Sequence, residues 1–153
     1  MGCRAILATE PIAADAELAR FIAQAEGAGA VVSFCGIARP ASKQGAAVSA
    51  LRLEHYPGMT ERSLQSIADE GARRFEASDV LVVHRCGTIA PGEVIVFVAA
   101  ASPHRRAAFE AADYLMDRLK TDAVFWKKEQ GVDGASWIEP TDADRADLAR
   151  WSD

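Results

Sequence analysis

The sequence predicts a single α+β domain built on a mixed, largely antiparallel sheet, and three observations predict it. The chain has 153 residues, about the length of one domain. Short apolar runs of strand character recur between segments of helical periodicity, in the order αββαββαββ. No repeat, linker or low-complexity stretch interrupts them. The expected organisation is a body over residues 1–140 and an acidic tail over 141–153.

Ala16 to Ala25 places Leu18, Phe21, Ile22 and Ala25 at helical spacing, with Asp15 as the expected N-cap and Gly27 and Gly29 beyond the end. Ala30 to Ile37 (AVVSFCGI) follows as a nearly continuous apolar strand. Arg39 to Ala47 (RPASKQGAA) has the composition of a loop. Val48 to Tyr56 alternates Leu51 and Leu53 with Arg52 and Glu54, as a half-buried strand does. Pro57-Gly58 turns the chain into a second helix striped by Leu64, Ile67, Ala68, Gly71 and Phe75.

Val80 to Arg85 reads as a strand, Ala90-Pro91-Gly92-Glu93 as a turn, and Val94 to Ala101 as a buried strand. Ser102-Pro103 supplies a hydroxyl N-cap and a proline at the first helical position. The helix it opens turns Ala108, Ala112, Leu115, Met116 and Leu119 inward and ends near Thr121. Val124 to Glu129 and Ala135 to Ile138 close the fold as a strand pair. Beyond Pro140, Asp142, Asp144, Asp147 and Asp153 face Arg145 and Arg150 in a short solvated helix.

Composition narrows the function. At 50% hydrophobic and 25% charged residues the chain is globular, which excludes disordered, collagenous and disulfide-scaffold classes. A net charge of −5 argues against general affinity for nucleic acid or anionic membranes. No apolar run approaches the roughly 18–20 residues that span a bilayer, and Met1 to Ala5 does not read as a secretory signal. Cys3, Cys35 and Cys86 form no CxxC pair, which suits a reducing compartment, so a cytoplasmic protein is expected. Cys35, flanked by apolar residues, reads as core. His55, His84 and His104 stand in separate elements, so no metal site is expected. No glycine-rich nucleotide loop is present and no cofactor is implied.

The basic residues divide unevenly into thirteen Arg and four Lys. Three of the four lysines, Lys120, Lys127 and Lys128, cluster, and Lys43 stands apart. Lys120 lies at a helix end, where a cation is favoured in any case. Strand alternation puts Phe125, Lys127 and Glu129 on one face and Lys128 on the other, so one of the two lysines is less exposed. A partly buried lysine loses charge stabilisation and becomes a usable base or nucleophile, whereas a solvated edge strand would leave both as ordinary cations.

Two further segments carry chemistry. Ser102-Pro103-His104-Arg105-Arg106 offers free N–H groups, a positive dipole end and guanidinium charge, the ingredients of a phosphate site. Phe34 to Arg39 (FCGIAR) runs a strand into a glycine and then an arginine, delivering one guanidinium beside the mobile-looking loop.

In this order, these segments resemble the large subunit of molybdopterin synthase, from roughly Gly29 to Trp137. The residues that carry the likeness are FCGIAR, LEHYPGM (Leu53 to Met59), HRCG (His84 to Gly87), PGE (Pro91 to Glu93) and SPHRRAAF (Ser102 to Phe109). LMDRLK (Leu115 to Lys120), FWKKE (Phe125 to Glu129) and Trp137 complete it. Ala38 stands where the family usually has Val.

The resemblance implies an α/β-hammerhead fold, a homodimer, and a small ubiquitin-like sulfur carrier docked at each end to give a heterotetramer. It implies that the carrier's C-terminal Gly-Gly thiocarboxylate donates sulfur twice to cyclic pyranopterin monophosphate, forming the dithiolene of molybdopterin. Lys120 and Lys127 would be the active-site lysines, with Ile37, Ala38, Arg39, His104, Arg105, Lys128 and Glu129 as substrate contacts. Arg106 lies outside that set. Two other readings use the same residues: an adaptor that binds a ubiquitin-like tail without catalysis, and a Schiff-base lysine enzyme acting on a phosphorylated carbonyl compound.

One geometric constraint is already visible. His104 and Lys120 are sixteen residues apart on one predicted helix, roughly 24 Å at 1.5 Å per residue. Both cannot line one small pocket of a single protomer.

Overall fold

The computed structural model describes residues 2–131 and 134–152, so Asp153, one of the tail's acidic residues, lies outside the described residues. The first half of the chain forms β1 (Cys3–Ala8), α1 (Ala14–Gln24), β2 (Ala30–Ile37), β3 (Val48–His55) and α2 (Met59–Phe75). Then come β4 (Asp79–Arg85), β5 (Gly87–Ile89), β6 (Val94–Ser102), α3 (Arg105–Asp122), β7 (Phe125–Gly131), β8 (Gly134–Ile138) and α4 (Asp142–Ala149). The class is α+β, as expected.

The strands make two sheets rather than one, in the orders β1-β4-β6-β2 and β5-β3-β7-β8. Among the described residues only β1 and β4 pair in parallel; the other pairings are antiparallel. In the first sheet, period-2 alternation sorts side chains between two cores. Val80, Val82, Val96, Val98 and Ala100 meet Leu64, Ile67, Ala68, Ala111 and Leu115 of α2 and α3. Leu81, Val83, Phe97, Ala99 and Ala101 meet Phe21 of α1 on the opposite face. A third, smaller cluster of Ala38, Leu53 and Ile89, with Leu51, Ile95 and Phe125 against it, joins the two sheets.

Four local expectations are corrected. The sequence does not show β1 or β5: CRAILA carries no polar–apolar alternation beyond Arg4, and β5 is only three residues long. Parallel pairing with β4 recruits β1, and Gln65 of α2 hydrogen-bonds Ala5 N–H and Cys3 C=O on its free side, which satisfies a sheet edge. Helix α1 starts two residues earlier than an Asp15 cap requires: Ala13 is its N-cap, and Asp15 and Glu17 complement the positive end of the dipole from the first turn.

Ser102 ends β6 instead of capping α3. It pairs with Ala30, its carbonyl accepts from Gly29 N–H at 3.0 Å, and it is 2% exposed. Strand pairing therefore displaces the helix start to Arg105, with His104 as N-cap. Cys35 is exposed, because β2 is an edge strand left uncovered toward its end, where Ser33, Phe34 and Ile37 are exposed too. The tail forms α4 with a Thr141–Asp144 capping box. Trp151 beyond it packs edge-on against Phe75 and Tyr114 and donates to Asp117 at 2.7 Å.

Close approach of α2 to α3 depends on Gly71. A Cβ there would lie 2.6 Å from Leu115 Cδ2, inside a fully buried cluster. Gly71→Ala should lower unfolding free energy by about 1–3 kcal/mol, read from urea midpoints. An unchanged midpoint would mean that the two helices separate freely.

Candidate active site

The register of the second sheet decides which lysine is sheltered. Lys127 lies opposite Leu53 on β3 and Ile138 on β8, on the same face as Phe125, whose ring joins the inter-sheet cluster. Burial lowers the Lys127 pKa, the charges of Lys120 and Lys43 lower it further, and Asp144 works against them. Lys120 sits exposed in the last turn of α3. Three cations from a helix end, a strand and the 39–47 loop thus share one neighbourhood with one carboxylate.

Asp144 reports the same neighbourhood from its own side. Burial pushes its pKa up, but hydrogen bonds from Thr141 and the charges of Lys120 and Lys43 outweigh this and hold it down. Lys43 and Asp144 are functional candidates that sequence reasoning missed. The signal for Lys43 was its status as the one lysine outside the cluster, in a loop; for Asp144 there was none, since it belongs to a tail that folds back.

Arg39 belongs to the same end of the molecule. Strand β6 runs from Val94 to Ser102 and α3 returns antiparallel to it, so Lys120 comes back toward the start of β6, where Ile37 pairs with Val94. Arg39 follows Ala38, which is buried in the cluster that also holds Phe125 and Leu53. Ala38 N–H donates to Glu93 C=O at 2.9 Å, and Gly92 N–H donates to Ala38 C=O at 2.8 Å. Ala38 is therefore fixed, while Ile37 and Arg39 on either side are exposed.

His104 and Arg105 are not brought there. They begin α3, and Lys120 lies near its far end, roughly 24 Å away along the axis. His104, Arg105 and Arg106 are exposed, no acidic residue occupies the first turn, and among the described residues no ion pair joins either arginine. Exposed Phe109 lies one turn further along. Lys128 points away from Lys127, with Nζ 5.1 Å from the Trp137 ring centroid. Trp137 stacks edge-on with Trp126, 5.7 Å between centroids. Glu129 lies on the Lys127 face, opposite Leu51 and Ser136.

Beneath Lys127, His84 on β4 is buried and stacks on Phe125 with centroids 4.3 Å apart. Its Nδ1 lies 2.9 Å from the Arg85 carbonyl oxygen, so Nδ1 carries the proton and Nε2 the lone pair. The sequence gives no signal for this ring beyond its place in HRCG, because its stacking on Phe125 is a contact between remote strands.

The conserved model of the family described as MoaE protein matches residues 7–122. The chain belongs to the MoaE family. Its curated relatives include the molybdopterin synthase catalytic subunit of Caulobacter vibrioides, 53% identical over 145 residues, or 95% of each chain. Among solved structures, a MoaE protein of Burkholderia ambifaria superposes with a TM-score of 0.82 at 42% identity, covering 100% of this chain and 99% of that one. A Staphylococcus aureus molybdopterin synthase chain gives 0.78 at 34% identity, covering 87% and 95% respectively. The α/β-hammerhead expectation therefore holds for a MoaE member. No helix among the described residues is long and apolar enough to cross a membrane.

The buried imidazole has a measurable consequence. Burial lowers the His84 pKa from 6.5 to about 4, Lys127 adds to the fall, and the Arg85 carbonyl opposes it. Between those values the unfolded chain binds the proton more tightly, so stability declines as pH drops through that window, by about 3 kcal/mol at its lower end. Urea midpoints should fall more steeply with acidification in the wild type than in His84→Phe. Equal slopes would remove His84 as the cause.

Proposed function

We propose that this chain is the catalytic subunit of a molybdopterin synthase. It moves sulfur from the C-terminal thiocarboxylate of a small ubiquitin-like carrier to cyclic pyranopterin monophosphate, building a dithiolene. The observation that carries the reading is the half-buried Lys127, with its amine made easier to deprotonate, beside Lys120 at the end of the fold where Arg39 emerges. Family membership and the curated relatives support it.

The chemistry asks for what that end provides. Each transfer forms a carbon–sulfur bond on the pterin side as a carbon–oxygen bond at the same carbon breaks, and hydrolysis then replaces the carrier's acyl C–S bond by C–O. A proton must leave the attacking water and another must reach the departing oxygen. A lysine with a lowered pKa gives up its proton more readily than a solvated one, and a neighbouring cation can hold the anionic tail in place. Arg39 supplies a planar guanidinium for phosphate. Ile37, Ala38 and Glu129 would shape the wall beside it. Residues 1–140 would form the catalytic body, with the tail contributing Asp144, and three cysteines without a CxxC pair fit a cytoplasmic protein.

His104 and Arg105 enter through a second copy of the chain. Their end of α3 is cationic, carries exposed Phe109, and adjoins the open edge of β2 with exposed Phe34. A homodimer joined so that His104 and Arg105 of one copy reach the Lys120–Lys127 end of the other would complete a phosphate site. A carrier on each copy then gives a heterotetramer. Lys128, on the outer face, would contact substrate only at such a junction.

Incubation with thiocarboxylated carrier and cyclic pyranopterin monophosphate should give dithiolene product by mass spectrometry. Lys127→Arg keeps the charge but removes an accessible neutral amine, and should cut turnover at least about tenfold with carrier binding intact. Full turnover in that variant would end the proton-transfer role, and tail binding without product would favour an adaptor. Mixing inactive Lys120→Ala and Arg105→Ala homodimers should restore part of the activity after subunit exchange. Verified mixed dimers with none would exclude a shared site.

A further inference from the structure

We infer that Arg85 and Glu93 are positioning residues that set the place of Arg39. The inference rests on the proposed role of Arg39 in holding the substrate phosphate. It starts from a gap in the sheet. The β2–β6 ladder runs regularly from Ala30 to Gly36 and then slips between Gly36 and Ile37, so regular pairing ends just before Arg39.

The 90–93 turn takes over where the ladder stops. Its backbone grips Ala38 from both sides, through Ala38 N–H to Glu93 C=O at 2.9 Å and Gly92 N–H to Ala38 C=O at 2.8 Å. The turn is itself held by one carboxylate. Glu93 Oε1 accepts from Ala90 N–H at 2.8 Å and Glu93 Oε2 accepts from Arg85 Nη1 at 3.0 Å. Arg85 Nη2 donates to Thr88 C=O at 3.1 Å, which ties the same guanidinium to β5. A continuous path therefore runs from the end of β4 through Arg85 and Glu93 to the peptide groups on which Arg39 is mounted.

The pair is a poor stabilising device. The Arg85 side chain is 5% exposed, its Nε is buried without a partner, and Glu93 is 31% exposed. Desolvating a guanidinium with one donor unpaired costs free energy that a well-packed apolar side chain would not. What a forked guanidinium adds is direction: two fixed donors on two different segments. Arg39 itself is exposed, so its backbone anchor is what orients it.

The experiment compares steady-state kinetics of Arg39→Ala, Glu93→Ala, Arg85→Lys and the Arg39→Ala/Glu93→Ala double variant, at saturating thiocarboxylated carrier. Glu93→Ala should raise KM for the pyranopterin about fivefold or more with kcat within about twofold of wild type. The double variant should be no worse than Arg39→Ala alone, since the brace acts only through Arg39. Arg85→Lys keeps the charge and loses the fork, and should raise KM less; it serves where Glu93→Ala does not fold. A merely structural brace would lower thermal stability and active fraction without moving KM, or would multiply with Arg39→Ala; either result overturns the inference. If Arg39→Ala raises KM and the brace variants do not, this inference alone fails. If Arg39→Ala leaves KM unchanged, the site reading fails and takes the inference with it.

Discussion

Helix α3 is a rigid rod of 18 residues, and the separation it imposes governs everything proposed for the molecule. An α-helix does not fold back on itself, so the cations at its start and the lysine at its end are held apart at roughly 24 Å. Its inner stripe of Ala108, Ala111, Ala112, Leu115 and Leu119 locks it against β4 and β6 and against α2. The small residues keep it close to the sheet, which leaves no slack for bending. Two half-sites on one rod can act together only if two rods meet, so the proposed shared site requires a dimer.

Charge is organised on the same axis. The chain is acidic as a whole, yet Lys43, Lys120 and Lys127 converge at one end, while His104, Arg105 and Arg106 stand free at the other. Three converging ammonium groups repel, and burial of Lys127 sharpens the repulsion by removing water. Asp144 relieves part of it from α4, which is fastened to α3 by Trp151 and by Arg150 bonded to Asp117. The tail thus tunes the lysine end although it lies far along the sequence from Lys43 and Arg39.

What the sequence disclosed followed the range of the interactions involved. Helical stripes such as Leu64, Ile67, Ala68 and Gly71 were legible because a helix is written in local periodicity, and all four are buried. Alternation correctly separated Lys127 from Lys128, since a strand's faces are also local. Cys35 misled because apolar neighbours do not reveal whether a strand lies at an edge, and Ser102 misled because its pairing with Ala30 is non-local. Asp144 and the Arg85–Glu93 brace depend on contacts between segments remote in sequence or on a turn's exact placement, so no window of residues contains them.

These remote contacts concentrate where the two sheets join. The two large cores are filled by aliphatic side chains that gain from leaving water. The junction instead shelters His84 in its neutral form, Lys127 with a lowered pKa, and Arg85 with an unpaired Nε. Each gives up hydration that folding does not fully return, so the junction carries a free-energy cost that the rest of the fold must offset. A sheet interface built only for stability would hold Leu, Val and Phe at those three positions. His84, Lys127 and Arg85 gather at this junction next to the anchor of Arg39, so under the proposed function chemistry and not packing sets the residues there.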